Sequence, residues 1–286
     1  MSRLRIWGMI GLMLIVWLYL PTQLTSAVLT RCENRNFRGA LESKAAENKW
    51  LGAMIEGPFA IGGVDYKSTV GIGDKRTIPA GCFSRYQNGM IYISSRTKAQ
   101  IVQGAIANKW IKLDWEKGPL GYPISDELKT PDGKGRVSHF QFGSIYWHPD
   151  VGAFGVWGAI AELYNRWKAT ESIAGYPITD ESDWHKQAAS NAGGESRLSR
   201  FQGADIFWSP KHGAIGIWGY LRECYWRVYR NVKADQLLYL IPRRVSLVDR
   251  AGNAGTIYFE NTATGTQQRV EANKSVGHCS GYFTPR

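Results

Sequence analysis

Apolar residues recur at i, i+3, i+4 and i+7 as Ile160, Leu163, Tyr164 and Trp167, which predicts a short helix with one apolar face. A Gly175-Tyr176-Pro177 turn follows. The proline forces Tyr176 into an extended conformation, and Thr179-Asp180-Glu181 offers side-chain acceptors for turn amides. The runs GRVSHFQF, SIYWH and GAFGVW, between Gly135 and Trp157, are rich in aromatic and β-branched residues. Phe142-Gly143-Ser144 and His148-Pro149-Asp150-Val151-Gly152 separate them, so they predict a small three-stranded meander.

These blocks repeat in order. Gly104 to Trp157 reads GAIANKW, GPLGYPISDE, GKGRVSHFQFGSIYWHPD and VGAFGVW; Gly158 to Trp218 reads GAIAELYNRW, SIAGYPITDE, GGESRLSRFQGADIFWSPK and HGAIGIW. The copies superpose at a period of 54 up to Glu127/Glu181, after which the second copy carries a seven-residue insertion around HKQAASNAGG. A degenerate copy, residues 39–103, precedes them, with Ile91-Tyr92-Ile93 at the place of Ile145-Tyr146-Trp147. It lacks the Gly-Tyr-Pro turn, as a terminal repeat with one unburied side is free to do. GYLRECYWRVYR opens a fourth helix in the capping segment 219–234, and LLYLIPRRVSLV, TIYFENTA and TQQRVEA make residues 235–286 a small β appendage. The expected fold is α+β and β-rich: tandem helix-plus-three-stranded-meander repeats packed as a partial ring or propeller-like array. Residues 28–234 form the repeat domain.

The blocks resemble the LGFP repeat, which occurs in exported bacterial proteins, notably behind the catalytic domains of some corynebacterial mycoloyltransferases. Leu120-Gly121-Tyr122-Pro123 and Ala174-Gly175-Tyr176-Pro177 stand at the signature turn, each followed by Ile-[Ser/Thr]-Asp-Glu. The Phe-x-x-Gly-x-Ile-Tyr-Trp strand completes the pattern. The resemblance implies attachment to cell wall through an arabinogalactan-like polysaccharide. The first copy departs from it, with Phe59-Ala60-Ile61-Gly62 at the turn, and Gln202-Gly203-Ala204 alters the strand turn of the last. About fifty residues follow the repeats, no room for a catalytic domain of the mycoloyltransferase kind.

The N-terminus adds a destination. Arg3 and Arg5 precede the uncharged run from Ile6 to Leu20, and Thr25-Ser26-Ala27 follows, so residues 1–27 read as a signal peptide or, uncleaved, an N-terminal anchor. A secreted or envelope-associated protein is expected, touching membrane only through that segment. Cys32, Cys82, Cys224 and Cys279 are even in number behind the signal and argue for two disulfides. Four cysteines allow three connectivities; sequence order favours Cys32–Cys82 and Cys224–Cys279. None lies in a C-x-x-C pair, so no zinc or redox motif is indicated.

A formal net charge of +11 favours anionic surfaces, and export removes nucleic acid from the expected partners. For contact with sugar the aromatic candidates are Trp147, Trp208, Tyr146 and Phe207. Alternation along the strand puts Tyr146 and Trp147 on opposite faces, so at most one of each pair is exposed. Arg136 and Arg197 open the meander and either hold hydroxyls or anionic groups or pair with Asp126/Glu127 and Asp180/Glu181 of their own repeats. Those acidic pairs recur in each repeat, which suits structure better than a unique active site. No G-x-S-x-G or H-E-x-x-H is present, and the five histidines form no ligand spacing. The expected function is non-catalytic binding of cell-wall glycan, without cofactor or metal. The alternatives are a structural or protein-interaction module among envelope proteins and a glycan or ester hydrolase.

Overall fold

A computed structural model describes residues 30–62, 66–69, 75–184, 196–231, 242–260 and 267–282. The N-terminal segment 1–27, most of the insertion near HKQAASNAGG and residues 235–241 lie outside the described residues. The compact unit treated below begins at Arg31.

Among the described residues there are four α-helices, α1 (Arg35–Glu47), α2 (Gly104–Lys112), α3 (Gly158–Arg166) and α4 (Gly219–Asn231), and four four-stranded antiparallel sheets. The first sheet orders β1 (Met54–Ile61), β4 (Gly81–Tyr86), β5 (Gly89–Ser94) and β6 (Thr97–Val102), and a hairpin of β2 (Tyr66–Thr69) and β3 (Lys75–Ile78) interrupts it in sequence. The second runs β7 (Leu128–Lys129), β8 (Arg136–Phe140), β9 (Gly143–His148) and β10 (Gly152–Trp157). β11 (Ser182–Trp184), β12 (Ser196–Arg200), β13 (Ala204–Ser209) and β14 (Gly213–Trp218) make the third. β15 (Pro242–Leu247), β16 (Ala254–Glu260), β17 (Gln267–Asn273) and β18 (His278–Tyr282) make the fourth. No sheet closes into a barrel. The sheets have four strands where three were expected, because β7 and β11 are only two and three residues long and carry no apolar alternation.

Each of α2, α3 and α4 fills the space between successive sheets. The α3 face works as its spacing predicts: Ile160 and Tyr164 are buried, and Leu163 and Trp167 pack against the same core. That core takes Val137, Tyr146 and Val156 from the second sheet and Phe201, Ala204 and Ile206 from the third. One core below, Ile106, Ala107 and Trp110 of α2 join Tyr92 and Val102 of the first sheet to Phe140 and Ile145 of the second. One core above, Leu221, Cys224 and Tyr225 of α4 join Leu198, Phe207 and Ile217 to Ile257, Phe259 and Val270. The C-terminal β segment therefore shares a core with the third sheet. Burying each of these large apolar side chains contributes about 1.5–3 kcal/mol.

Sheet faces follow strand alternation. Ile91, Ile145 and Ile206 face the preceding helix, whereas Tyr92, Tyr146 and Phe207 face the next one. At the N-terminal end α1, whose Asn34 side chain caps the Phe37 amide at 3.0 Å, closes the outer face of the first sheet with Leu41.

The disulfides are Cys32–Cys82 and Cys224–Cys279, with Cα atoms 5.9 and 5.5 Å apart. The first ties the residues before α1 to β4; the second ties α4 to β18, the last described strand.

The Gly-Tyr-Pro turns lock neighbouring units. Gly121 and Gly175 sit at φ of +72° and +65°, a left-handed conformation that other residues adopt at a cost. Gln141 and Gln202 accept the next amide, that of Tyr122 or Tyr176, at 2.9 and 3.0 Å. Each tyrosine then projects onto the sheet before its own. Tyr122 donates to the Pro79 carbonyl at 3.0 Å, and Tyr176 donates to Asp132 Oδ1 at 2.6 Å and lies 2.7 Å from Thr130 Oγ1. Gly135 leaves the space for that ring, since a Cβ there would stand 2.6 Å from Tyr176 Cε1.

Candidate functional site

The strand register brings the two kinds of sequence candidate together. On the second sheet Arg136 is the direct cross-strand partner of Trp147, and Trp147 of Ala153. On the third sheet the same row reads Arg197, Trp208 and Ala214. Cross-strand partners project to one face with Cβ atoms about 5 Å apart, so an arginine and a tryptophan leave the sheet side by side twice over. Both tryptophans are half-buried, packing at the edge of the core below while keeping part of the ring in solvent. Ala153 and Ala214, small residues, flank the tryptophans on the other side of the row.

Tyr146 and Phe207 do not belong to this surface. They are 4% and 1% exposed and meet Tyr164 and Tyr225 of the next helix, with ring centroids 5.4 and 5.3 Å apart. Alternation sends them to the opposite face, and a helix closes that face. They are corrected from contact candidates to core residues. Burial pushes the Tyr146 phenol up to about 12, against a small opposing hydrogen bond from Ser144.

The arginines differ in freedom. Arg136 Nε stands 3.4 Å from Glu127 Oε1, and 38% of its side chain is exposed. Burial raises the Glu127 carboxyl above its ordinary value, while Arg136 and a hydrogen bond from Gln103 oppose the rise. Arg197 is held more tightly, by Asp183 and, at 4.0 Å, by Glu181, with 16% of its side chain exposed. Each arginine thus pairs with the glutamate of its own repeat.

The aspartates of the acidic pairs act elsewhere. Asp126 accepts the Ile101 amide at 2.8 Å and the Lys44 ammonium at 2.6 Å; Asp180 accepts the Gly155 amide at 2.9 Å and the Lys109 ammonium at 2.7 Å. In both copies the carboxylate grips the last strand of the preceding sheet and the helix leading into it. Their neighbours Ser125 and Thr179 accept strand amides, those of His139 on β8 and Arg200 on β12, at 2.9 and 3.0 Å.

Sequence reasoning missed a buried ionic knot in the last copy. Asp205, wholly buried, stands where the earlier copy has Ser144. It receives Arg222 Nε and Nη2, both at 2.9 Å, and Trp226 Nε1 at 2.5 Å. Arg222 also donates to the carbonyls of Phe201 and Gln202, which accounts for the altered strand turn there. The signal was the paired appearance of Asp205 and Arg222 where neither repeats. Among the described residues no group of three or more His, Cys, Asp or Glu could hold a metal ion, and no helix is long and apolar enough to cross a membrane.

The LGFP repeat matches residues 71–118, 120–172 and 175–227, together more than half of the chain. The chain belongs to the LGFP repeat family. A comparison with curated proteins gave no match. The first matched segment takes in residues 71–103 of the degenerate copy and runs on through α2, and the breaks fall at the signature turns, so each match runs from strands into the helix that follows them. In that frame the Gly-Tyr-Pro tyrosine, the aspartate and the helix all sit at junctions between units, whereas the arginine–tryptophan row lies inside one. The fourth sheet lies outside every match.

Proposed function

We propose that this LGFP repeat protein is a non-catalytic protein of the cell envelope whose second and third sheets bind neutral wall polysaccharide of the arabinogalactan type. The observation that carries the reading is the arginine–tryptophan row, present in register on both sheets: Arg136–Trp147 and Arg197–Trp208. An indole offers an apolar face to the carbon face of a sugar ring, and the adjacent guanidinium offers donors to hydroxyls. We read the sheets as blades of a propeller-like partial ring, which would present the two rows to one polymer. Linking two weak sites raises the effective concentration at the second.

Export is part of the proposal. Two disulfides suit an oxidising compartment, as does the signal-like N-terminus. Two facts support a non-catalytic role: the recurring carboxylates are engaged with their own arginines or with the preceding unit, and the recurring tyrosines are buried.

The test is binding of purified wall arabinogalactan by wild type, Trp147→Ala, Trp208→Ala and the double variant, with stability measured on each sample. The single variants should weaken binding at unchanged salt dependence, and the double variant should abolish it. A folded wild type with no affinity at low or high salt would overturn the reading and leave the protein-interaction alternative.

A further inference from the structure

In the first three sheets the face turned toward the next unit is closed by a helix. The fourth sheet has a core on one face only. Ile257, Phe259, Val270 and Ala272 point into the core with α4, and no described element packs on the other face. There the register aligns one residue from every strand: Arg244 with Tyr258, Tyr258 with Arg269, and Arg269 with Tyr282. Cations and rings alternate across the whole width of the sheet.

The contacts are those of a preorganised array. Arg244 lies over the Tyr258 ring at 4.2 Å and Arg269 over the Tyr282 ring at 4.4 Å. Contact with a ring restricts each guanidinium without using up its N–H donors. Arg244 has no carboxylate partner among the described residues. Arg269 uses Nε on Glu271 at 2.6 Å, which leaves its two terminal nitrogens. Glu271 also faces His278 Nε2 at 3.9 Å, so this carboxylate is already engaged. From Pro242 to Tyr282 the sequence holds five basic residues, Arg243, Arg244, Arg250, Arg269 and Lys274, against three acidic ones, Asp249, Glu260 and Glu271. A polar outer face on a terminal unit serves solubility, but solubility does not require half-exposed tyrosines each roofed by an arginine.

We infer that the Arg244–Tyr258–Arg269–Tyr282 ladder on the exposed face of the fourth sheet binds a carboxylate-bearing polysaccharide, a uronic-acid polymer. The two guanidinia stand two strand spacings apart, roughly 10 Å, about the rise of a disaccharide, so carboxylates on alternate sugars meet successive arginines. A planar guanidinium edge pairs with a carboxylate through two hydrogen bonds. The Tyr258 edge and hydroxyl between them meet the ring that carries no engaged carboxylate. This site is separate from the arginine–tryptophan rows and takes an acidic polymer rather than a neutral one.

The experiment uses the full oxidised chain and four probes: a polygalacturonate oligomer, the same oligomer with its carboxylates reduced to alcohols, an oligo-dT single strand and phosphatidylglycerol vesicles. Wild type should bind polygalacturonate with an affinity that falls as salt rises and should not bind the reduced oligomer. Arg244→Gln and Arg269→Gln should each weaken binding roughly tenfold, with the thermal unfolding midpoint nearly unchanged because both side chains are exposed. Trp147→Ala with Trp208→Ala should leave polygalacturonate binding intact, so failure at one surface is distinguishable from failure at the other. Equal binding of the reduced oligomer, an Arg244→Gln/Arg269→Gln variant that binds like wild type, or tighter capture of oligo-dT or vesicles through the same arginines would each overturn the assignment. So would self-association of the free chain that those substitutions abolish, since the face would then belong to a second copy.

Discussion

The aspartate after the Gly-Tyr-Pro turn gives the sharpest test of how the units are joined. Replacing Asp180 by Ala removes the acceptor of the buried Gly155 amide and the partner of Lys109, whose side chain is only 17% exposed. An unsatisfied buried amide costs about 1–3 kcal/mol, and a partly exposed ion pair adds up to about 1 kcal/mol. Lys109 keeps its place over the Phe154 ring, 4.7 Å away, which offsets a little of that loss. Asp180→Ala should therefore cost about 2–3 kcal/mol in urea unfolding and lower Tm by roughly 5 °C or more. Asp180→Asn retains an oxygen for Gly155 and loses only the charge, so about 1 kcal/mol is expected. The ordering is the point: alanine worse than asparagine, and the asparagine deficit nearly absent in a Lys109→Met background. An alanine variant within about 0.5 kcal/mol of wild type, or an asparagine variant as poor as alanine, would refute the junction argument.

Further outcomes follow from other contacts. Gly135→Ala should destabilise by about 1–3 kcal/mol, because its Cβ would overpack against both the Trp147 carbonyl and the Tyr176 ring, read by thermal unfolding; no change would mean that strand and ring both give way. Reducing both disulfides should destabilise strongly, since the 50- and 55-residue separations correspond to about 4 kcal/mol each in the loop-entropy picture; urea midpoints with and without reductant measure it. Burial raises the phenols of Tyr146 and Tyr176 to about 12, with the Asp132 contact adding to the rise at Tyr176. A raised folded-state value means the unfolded chain releases its proton first. The associated stability is thus complete below pH 10 and lost between about 10 and 12. Ultraviolet difference absorbance should show these tyrosines ionising together with unfolding, and a smooth titration of the intact fold would count against it.

Local chemistry written in the chain was legible. The α3 face and the Gly-Tyr-Pro turns follow from local spacing, sequence order favoured the cysteine pairing found among three connectivities, and the opposite orientations of Tyr146 and Trp147 follow from strand alternation. What the sequence withheld is what each face meets. Alternation separates Tyr146 from Trp147 but does not say that a helix closes the tyrosine side, so Tyr146 and Phe207 looked as available as their neighbours. Asp126 and Asp180 sit beside turns whose amides are near in sequence, yet they bond Ile101 and Gly155, 25 residues back. The fourth strands escaped notice because Leu128-Lys129 and Ser182–Trp184 are too short to show a period. In the last segment the β runs were visible, while their shared core with α4 depended on a packing that no local pattern encodes.

The first repeat explains why the arginine–tryptophan row is confined to the middle of the chain. At the places of Arg136 and Trp147 it has Cys82 and Ile93, which are direct cross-strand partners on β4 and β5. Both are buried in the core under α1, and Cys82 is bonded to Cys32. An end unit has no neighbour on one side, so its outer face must be covered or made polar. The N-terminal end is covered, at the positions a ligand row would need, and the covering is fastened covalently. The C-terminal end is made polar, and its disulfide instead fastens β18 to the helix beneath, so its outer face stays open. On the proposed reading the chain then has two rows for neutral polysaccharide and no third. Restoring the pair in the first unit with Cys82→Arg and Ile93→Trp should unfold that end rather than add a site, because it breaks the disulfide and forces a guanidinium into an apolar core. If that variant stayed folded and bound arabinogalactan more tightly, α1 would be a removable cover and not part of the core.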